Sequence, residues 1–314
     1  MKNSLRVHAA LFTAAFIYAA NYSLSKDVMP HFARPFGLVT LRVIGAALFF
    51  NILSQFVTKD RITGRADTVR SILCGLIGIA CNQLLFFSGL ELTTPINASL
   101  VQTVSPIVVV LASAILLGEK ITPTRATGIL LAGVGAALII LGRKTGALPG
   151  QDTPLGNLYI LLNATAFGIY LVIVTPLMRK YHPFTVLARI FLVGALAVVP
   201  FGWRQAAAID YAHLPLLIWS EILYMVICLT ILAYLLNNWA LKYASPALTG
   251  VYIYLQPVLA VIIAVGLGKD TFTLQKALQA SLIFIGVFLV SRKPKAASKP
   301  AAATVPLEPV QVQE

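Results

Sequence analysis

Charge is scarce in this chain, and acidic charge scarcest: 11 Asp and Glu stand against 24 Lys and Arg in 314 residues. Charged residues total 11%, where a soluble globular domain carries about 25%. With 58% hydrophobic residues, that shortage excludes an ordinary soluble domain. The excess of +13 does not point to nucleic acid, because the basic residues sit in short loops between apolar runs and form no one-sided patch. Cysteine is equally sparse. Cys74, Cys81 and Cys228 all lie inside apolar runs, which excludes a disulfide framework and a metal-ligand spacing. The four histidines are isolated near the ends of those runs. There is no H-E-x-x-H, no G-x-S-x-G and no phosphate-cradling loop, so no metal, cofactor or ATP hydrolysis is expected.

What is abundant is long apolar sequence. The best-marked stretch runs from Pro95 to Leu117 without a charge and ends at Gly118-Glu119-Lys120. It is long enough to cross a hydrocarbon layer of roughly 30 Å as a helix. Ser99, Gln102, Ser105 and Pro106 fall on one face of it. Such a stripe turns toward a protein interior or a wet cavity. Pro106 removes a backbone donor and bends the helix.

The stretch recurs at a constant offset. Pro95 falls on Pro246, Pro106 on Pro257, Glu119 on Asp270, Thr122 on Thr273, Gly135 on Gly286 and Leu138 on Leu289. Matches of that kind in one register indicate duplication. Ten apolar spans follow, at about 7–25, 37–57, 71–90, 95–117 and 124–142, then 154–178, 183–203, 214–238, 246–268 and 274–291. The basic start Lys2 and Arg6 before an apolar run resembles a signal peptide, but Tyr18, Asn21 and Tyr22 and the repeat partner favour a retained first span. With the N-terminus in the cytoplasm, fifteen Lys and Arg lie on the cytoplasmic side and seven outside, while Arg42 and Arg189 fall within spans. Five spans per half is odd, so the second half enters the membrane upside down. The expected fold is an all-α integral membrane protein of ten transmembrane helices in two five-helix inverted-topology repeats, 7–142 and 154–291. The tail 292–314 is rich in Lys, Pro and Ala and is expected to be disordered.

The Ser-Pro before an aliphatic run ending in Leu116-Leu117-Gly118-Glu119-Lys120-Ile121-Thr122, the intramembrane Arg42 and the duplication resemble EamA-type transporters of the drug/metabolite transporter superfamily. The second half departs from that pattern, with Gly268-Lys269-Asp270 where it reads Gly-Glu. The resemblance implies an inner (plasma) membrane carrier with a central cavity, often an exporter of amino acids or other metabolites.

Candidate cavity residues are Tyr18, Asn21 and Tyr22 on the first span, Asn82 and Gln83 on the third, and Ser99, Gln102 and Ser105 on the fourth. The sixth adds Asn163 and Tyr170, and the ninth Thr249, Tyr252 and Gln256. The eighth contributes Tyr234, Asn237 and Asn238. Uncharged amides and phenols suit a small polar or zwitterionic solute. They equally serve helix–helix hydrogen bonding. Arg42, Arg189, Glu119 and Glu221 are the gating or structural charges, Glu221 being the one carboxylate well inside a span. Each arginine either binds an anionic group or bonds carbonyls and snorkels to headgroups. Gly128, Ala132 and Ala136 form a ridge of small residues for close helix packing, expected between the fifth and tenth spans of one chain or of a homodimer. The expected partners are a small-molecule substrate and the lipid bilayer, with no nucleic acid. The reading is a secondary-active exporter of small polar metabolites by alternating access. An importer of the same fold, an intramembrane enzyme and a channel are the rivals.

Overall fold

A computed structural model describes residues 2–118, 121–141, 152–241 and 246–291, with side chains except at 2–4, 117, 237–239, 241, 246–251 and 253. Glu119, the tail 292–314 and the side chains of Asn237, Asn238 and Thr249 therefore lie outside the described residues. The first half contains α1 (Lys2–Val28), α2 (Pro35–Val57), α3 (Arg65–Leu73), a π segment (Cys74–Cys81), α4 (Asn82–Leu92), α5 (Pro95–Gln102), α6 (Ser105–Leu117) and α7 (Pro123–Leu141). The second contains α8 (Pro154–Lys180), α9 (Pro183–Ala207), α10 (Leu216–Tyr224), a second π segment (Met225–Leu232), α11 (Ala233–Leu241), α12 (Pro246–Gly266) and α13 (Leu274–Ser291). Nine described helices are long and apolar enough to cross a membrane, and Tyr254–Gly266 of α12 is a shorter apolar run. Lipid offers no hydrogen bonds, so a spanning chain satisfies its backbone internally as helix. The outward residues, among them Leu130, Leu196, Phe201 and Leu278, are large and apolar, as a lipid-facing surface requires.

Helix starts follow residue grammar. α2, α5, α7, α8, α9 and α12 all open on proline, whose missing N–H costs nothing in the first turn. Threonine caps several of them. Thr94 Oγ1 accepts from Asn97 N, Thr122 Oγ1 from Arg125 N, Thr153 Oγ1 from Gly156 N and Thr273 Oγ1 from Lys276 N.

The inversion is visible in the packing of related helices. α2 and α9, the second span of each half, lie side by side and antiparallel. The start of α2 meets the end of α9, where Gln205 Oε1 accepts from Phe36 N and Gly37 N. The far end of α2 meets the start of α9, where Asn51 Nδ2 donates to Ala188 O at 3.1 Å. α7 and α13, the fifth spans, also run antiparallel: Gly128 lies against Gly286 and Gly135 against Ile283. This contact is within one chain, so the small-residue ridge gives no support to a homodimer. Span 6 packs on spans 3 and 4, and span 1 packs on spans 8 and 9, the same relation turned over.

Two features depart from plain spanning helices. The third and eighth spans are not plain α-helices: each carries a π segment at the equivalent repeat position. Half-helices are also not found around both prolines. The fourth span breaks between Gln102 and Ser105, whereas α12 passes Pro257 unbroken. At the break, Ser105 Oγ donates to Gln102 O and Thr103 Oγ1 to Ser99 O, taking over carbonyls that the helix releases. The aligned positions around Pro257 are Gly250, Tyr254 and Gln256, without a short hydroxyl to do the same.

Candidate functional site

Arg42 of α2 is buried at 5% exposure. Its Nε donates to Thr230 Oγ1 at 3.1 Å, and its Cζ lies 4.6 Å from the centroid of the Phe87 ring of α4. Tyr18 of α1 and Tyr234 of α11 are within its electrostatic reach. Among the described residues no carboxylate pairs with it. The second π segment sets this geometry, because Thr230 Oγ1 donates to Met225 O, five residues back, at 2.7 Å. Segments of this kind recur at functional sites.

The first π segment does the matching job for Tyr170. A Cβ on Gly78 would lie 2.1 Å from the Tyr170 ring, so only glycine lets the phenol of α8 settle there. Tyr170 is buried and lies within electrostatic reach of Tyr18 and Tyr234. Tyr18 and Tyr170 are repeat counterparts, each following an isoleucine. Phe191 closes one side, 5.5 Å from the Tyr234 ring and 5.3 Å from Phe50.

Amides stand on the neighbouring spans, several of them buried. Asn163 Nδ2 donates to Asn82 O at 2.8 Å, and Asn82 Nδ2 returns to Asn163 O at 3.3 Å. Gln102 Nε2 donates to Ser105 Oγ at the helix break, and Gly168 of α8 packs against Ser105 O and Val108. The carbonyl oxygens of Gln83, Asn97, Gln102 and Asn163 are buried without a partner among the described residues. All four are acceptors awaiting a donor.

Tyr18, Tyr170 and Arg42 are therefore brought together, with Asn82, Gln83, Ser99, Gln102, Ser105 and Asn163 on the neighbouring spans. Other candidates are not. Asn21 accepts from Ser25 Oγ, and Tyr22 packs edge-on against Phe86. Tyr252 binds His8 Nδ1 at 2.8 Å beside Val7 and Leu11, at the end of the bundle where α1 begins. Gln256 is half-buried on α12. Arg189 is exposed on α9, turned away from this centre. Glu221 does not meet Arg42. It faces Asp27 of α1 and Lys269 beyond α12, is 4% exposed, and leaves Oε2 without a partner. Lys269 Nζ donates to Asp27 Oδ2 and to Ser23 O. Lys26 Nζ donates to Leu90 O and Glu91 O, both at 2.9 Å. At the opposite face Asp67 accepts from Lys180 Nζ and Tyr181 Oη. Sequence reasoning missed Thr230, Phe87 and the Asp27–Lys269 pair. Only the alignment of Tyr234 with Gln83 in the repeat could have signalled part of the centre.

Apolar crossings with buried amide oxygens left unpaired among the described residues are the architecture of a multi-pass membrane transporter. The family described as EamA-like transporter family matches residues 5–141 and again 154–292, and the chain belongs to it. Its members are named transporters, not enzymes. An uncharacterized transporter of Bacillus subtilis, YyaM, is 24% identical over 95% of this chain and 99% of its own length. A probable terminal-alkyne amino-acid exporter of Streptantibioticus cattleyicolor is 26% identical over 70% of this chain and 72% of its own. A protein of known crystal structure aligns with TM-score 0.60 at 20% identity, covering 91% of this chain and 96% of that one, a likeness of fold.

Proposed function

We propose that the chain is a secondary-active exporter of amino acids or closely related metabolites in the plasma membrane. It works by alternating access between two five-helix halves, 7–142 and 154–291, with both termini cytoplasmic. One observation carries the substrate class: among the described residues Arg42 is buried without an acid partner, while amides on the neighbouring spans hold spare acceptor oxygens. A charge placed centrally in a membrane costs about 2.5–3.5 kcal/mol on insertion scales, so a lone guanidinium is kept for use. A substrate carboxylate suits Arg42, and a substrate ammonium suits the oxygens of Gln83, Gln102 and Asn163. Tyr18, Tyr170, Tyr234 and Phe87 supply faces for an apolar or aromatic side chain. The relative named as an amino-acid exporter agrees with this reading.

Counterflow in liposomes tests it. Purified protein is challenged with labelled amino acids, nucleobases and sugars. Saturable exchange for amino acids is the expected result, and exchange confined to sugars or nucleobases sinks the proposal.

The driving force is assigned to protons entering from outside. Glu221, read as lying toward the outer end, has an oxygen without a partner among the described residues and faces Asp27 and Lys269. Such a carboxyl can take up a proton when the site opens outward and lose it inside. Glu221→Gln is expected to yield a folded protein whose transport no longer responds to an imposed pH gradient. A variant with the normal rate and the normal pH response removes Glu221 from the mechanism.

A further inference from the structure

The exposed side of α9 begins with a charge. Arg189, Leu192, Leu196, Pro200 and Trp203 are all exposed and recur every three or four residues, so they form one stripe along the helix. Four of the five are apolar, as a lipid-facing stripe requires, and the first is a guanidinium. Arg189 makes no hydrogen bond or ion pair with another described residue. A cation turned toward lipid is costly unless its head reaches water or a headgroup. The stripe itself gives the depth. Tryptophan gathers at the headgroup level, so Trp203 marks one border of the hydrocarbon layer. Twenty helical steps rise about 30 Å, the thickness of that layer, and bring the other border to Pro183, where α9 starts. Arg189 then lies about 9 Å inside that border. A long stem can stay in lipid while the charge is lifted to the border.

A second, independent observation puts more positive charge at the same border. The loop after α2 is tied to the first turn of α9: Thr185 Oγ1 donates to Asp60 O at 3.3 Å, and His182 N donates to Asp60 Oδ2 at 3.0 Å. Thr185 stands one turn before Arg189 on the same side of the helix. Lys59 and Arg61, exposed on either side of Asp60 in the chain, are thereby held at the start of α9. Neither makes an ion pair with another described residue, and the Asp60 carboxylate is engaged by His182 N.

We propose that Arg189 anchors a binding site for the phosphate of an anionic phospholipid, with Lys59 and Arg61 holding the rest of the headgroup. A guanidinium grips phosphate with paired N–H groups, which an ammonium cannot do. An acyl chain then follows Leu192 and Leu196 along the stripe. The occupant is a lipid and not a free anion, because the anchor stands on an apolar stripe and inside the border. In the proposed orientation, with both termini cytoplasmic, the site belongs to the inner leaflet. The inference goes beyond the exporter reading and rests on neither its substrate nor alternating access.

Native mass spectrometry of the full chain reads the first lipid bound. The protein is titrated in detergent with phosphatidylglycerol or with phosphatidylcholine of the same acyl chains. The wild type is expected to prefer phosphatidylglycerol by about 100-fold, the combined effect of three cations at the border. Arg189→Gln is expected to weaken phosphatidylglycerol binding about tenfold, and Lys59→Gln or Arg61→Gln about threefold each, with phosphatidylcholine binding unchanged. Arg189→Lys, which keeps the charge without the fork, falls between wild type and Arg189→Gln. Arg204→Gln is the matched control. It removes the same charge from an exposed position beside Trp203, at the other end of the helix, and should bind as the wild type does. A wild type without preference, equal losses in Arg189→Gln and Arg204→Gln, or displacement of the lipid by inorganic phosphate at equal concentration overturns the site. Amino-acid counterflow is read separately: its absence removes the exporter reading and leaves the lipid site standing.

Discussion

Replacing Arg42 with alanine is expected to lower kcat/KM for a carboxylated substrate by about 100-fold, with little loss of thermal stability. Truncating one partner of a buried hydrogen-bonded charge pair costs about 2–5 kcal/mol, and a hundredfold loss lies within that range. The stability forecast follows from what the guanidinium lacks. It has one hydrogen bond to Thr230 and one aromatic face, and no carboxylate among the described residues. Removing a charge that the empty protein leaves uncompensated relieves a desolvation cost, which offsets the lost contacts. Arg42→Lys is expected to recover only part of the activity, since an ammonium lacks the fork that grips a carboxylate. The decisive comparison is a cycle with a substrate whose carboxylate is an amide. The wild type should discriminate strongly between the two substrates and Arg42→Ala hardly at all. If both substrates suffer equally and the melting temperature drops, Arg42 is a structural residue and the carboxylate assignment fails.

Much of the scaffold was legible because lipid restricts the options so severely. Uncharged runs read as spans, prolines and threonines mark their starts, and an odd number of spans per duplicated half already demands inversion. The antiparallel pairs of α2 with α9 and α7 with α13 agree with that demand. The centre was only partly legible. Tyr18 and Tyr170 stood out through their shared register, but the elements that aim the neighbouring groups did not. Both π segments lie in apolar sequence: the second carries a bond of its own, Thr230 to Met225 O five residues back, and the first meets its neighbour through tertiary fit, Tyr170 lying against Gly78. Arg189 shows how placement depends on register. Counting from the leading proline of each helix, the position equivalent to Arg42 is Ile190, which is fully buried. One deleted residue turns Arg189 by about 100° around the helix, from the interior to the surface. A motif match that tolerates a gap is harmless in a loop, but inside a helix it changes the face. The two prolines teach the same lesson. Pro106 follows a broken helix and Pro257 sits inside a continuous one, because short hydroxyls accompany only the first.

Gly286→Val is expected to be the most destabilising substitution of a surface-distant residue, at about 3 kcal/mol, the upper end for forcing extra atoms into a packed interior. A Cβ at Gly286 would lie 2.5 Å from Ala132 N and 2.5 Å from Gly128 O. These are backbone atoms of α7, so no rotamer change can make room. The helices must separate along their whole contact, and the bond from Gln279 Nε2 to Leu138 O at 2.9 Å goes with it. In lipid, close backbone approach through small residues is a main source of helix association, so a forced gap is not refilled by a hydrophobic driving force. Gly133 supplies the matched control. It lies on the same helix as Gly128, and a Cβ there meets nothing within 4 Å. Gly133→Val should therefore melt near the wild-type temperature in detergent, while Gly286→Val and Gly128→Val melt far lower. Equal melting of all three would mean that the fifth and tenth spans do not touch through their backbones. The antiparallel pairing of repeat-related helices, on which alternating access between two inverted halves depends, would then lose one of its two seams.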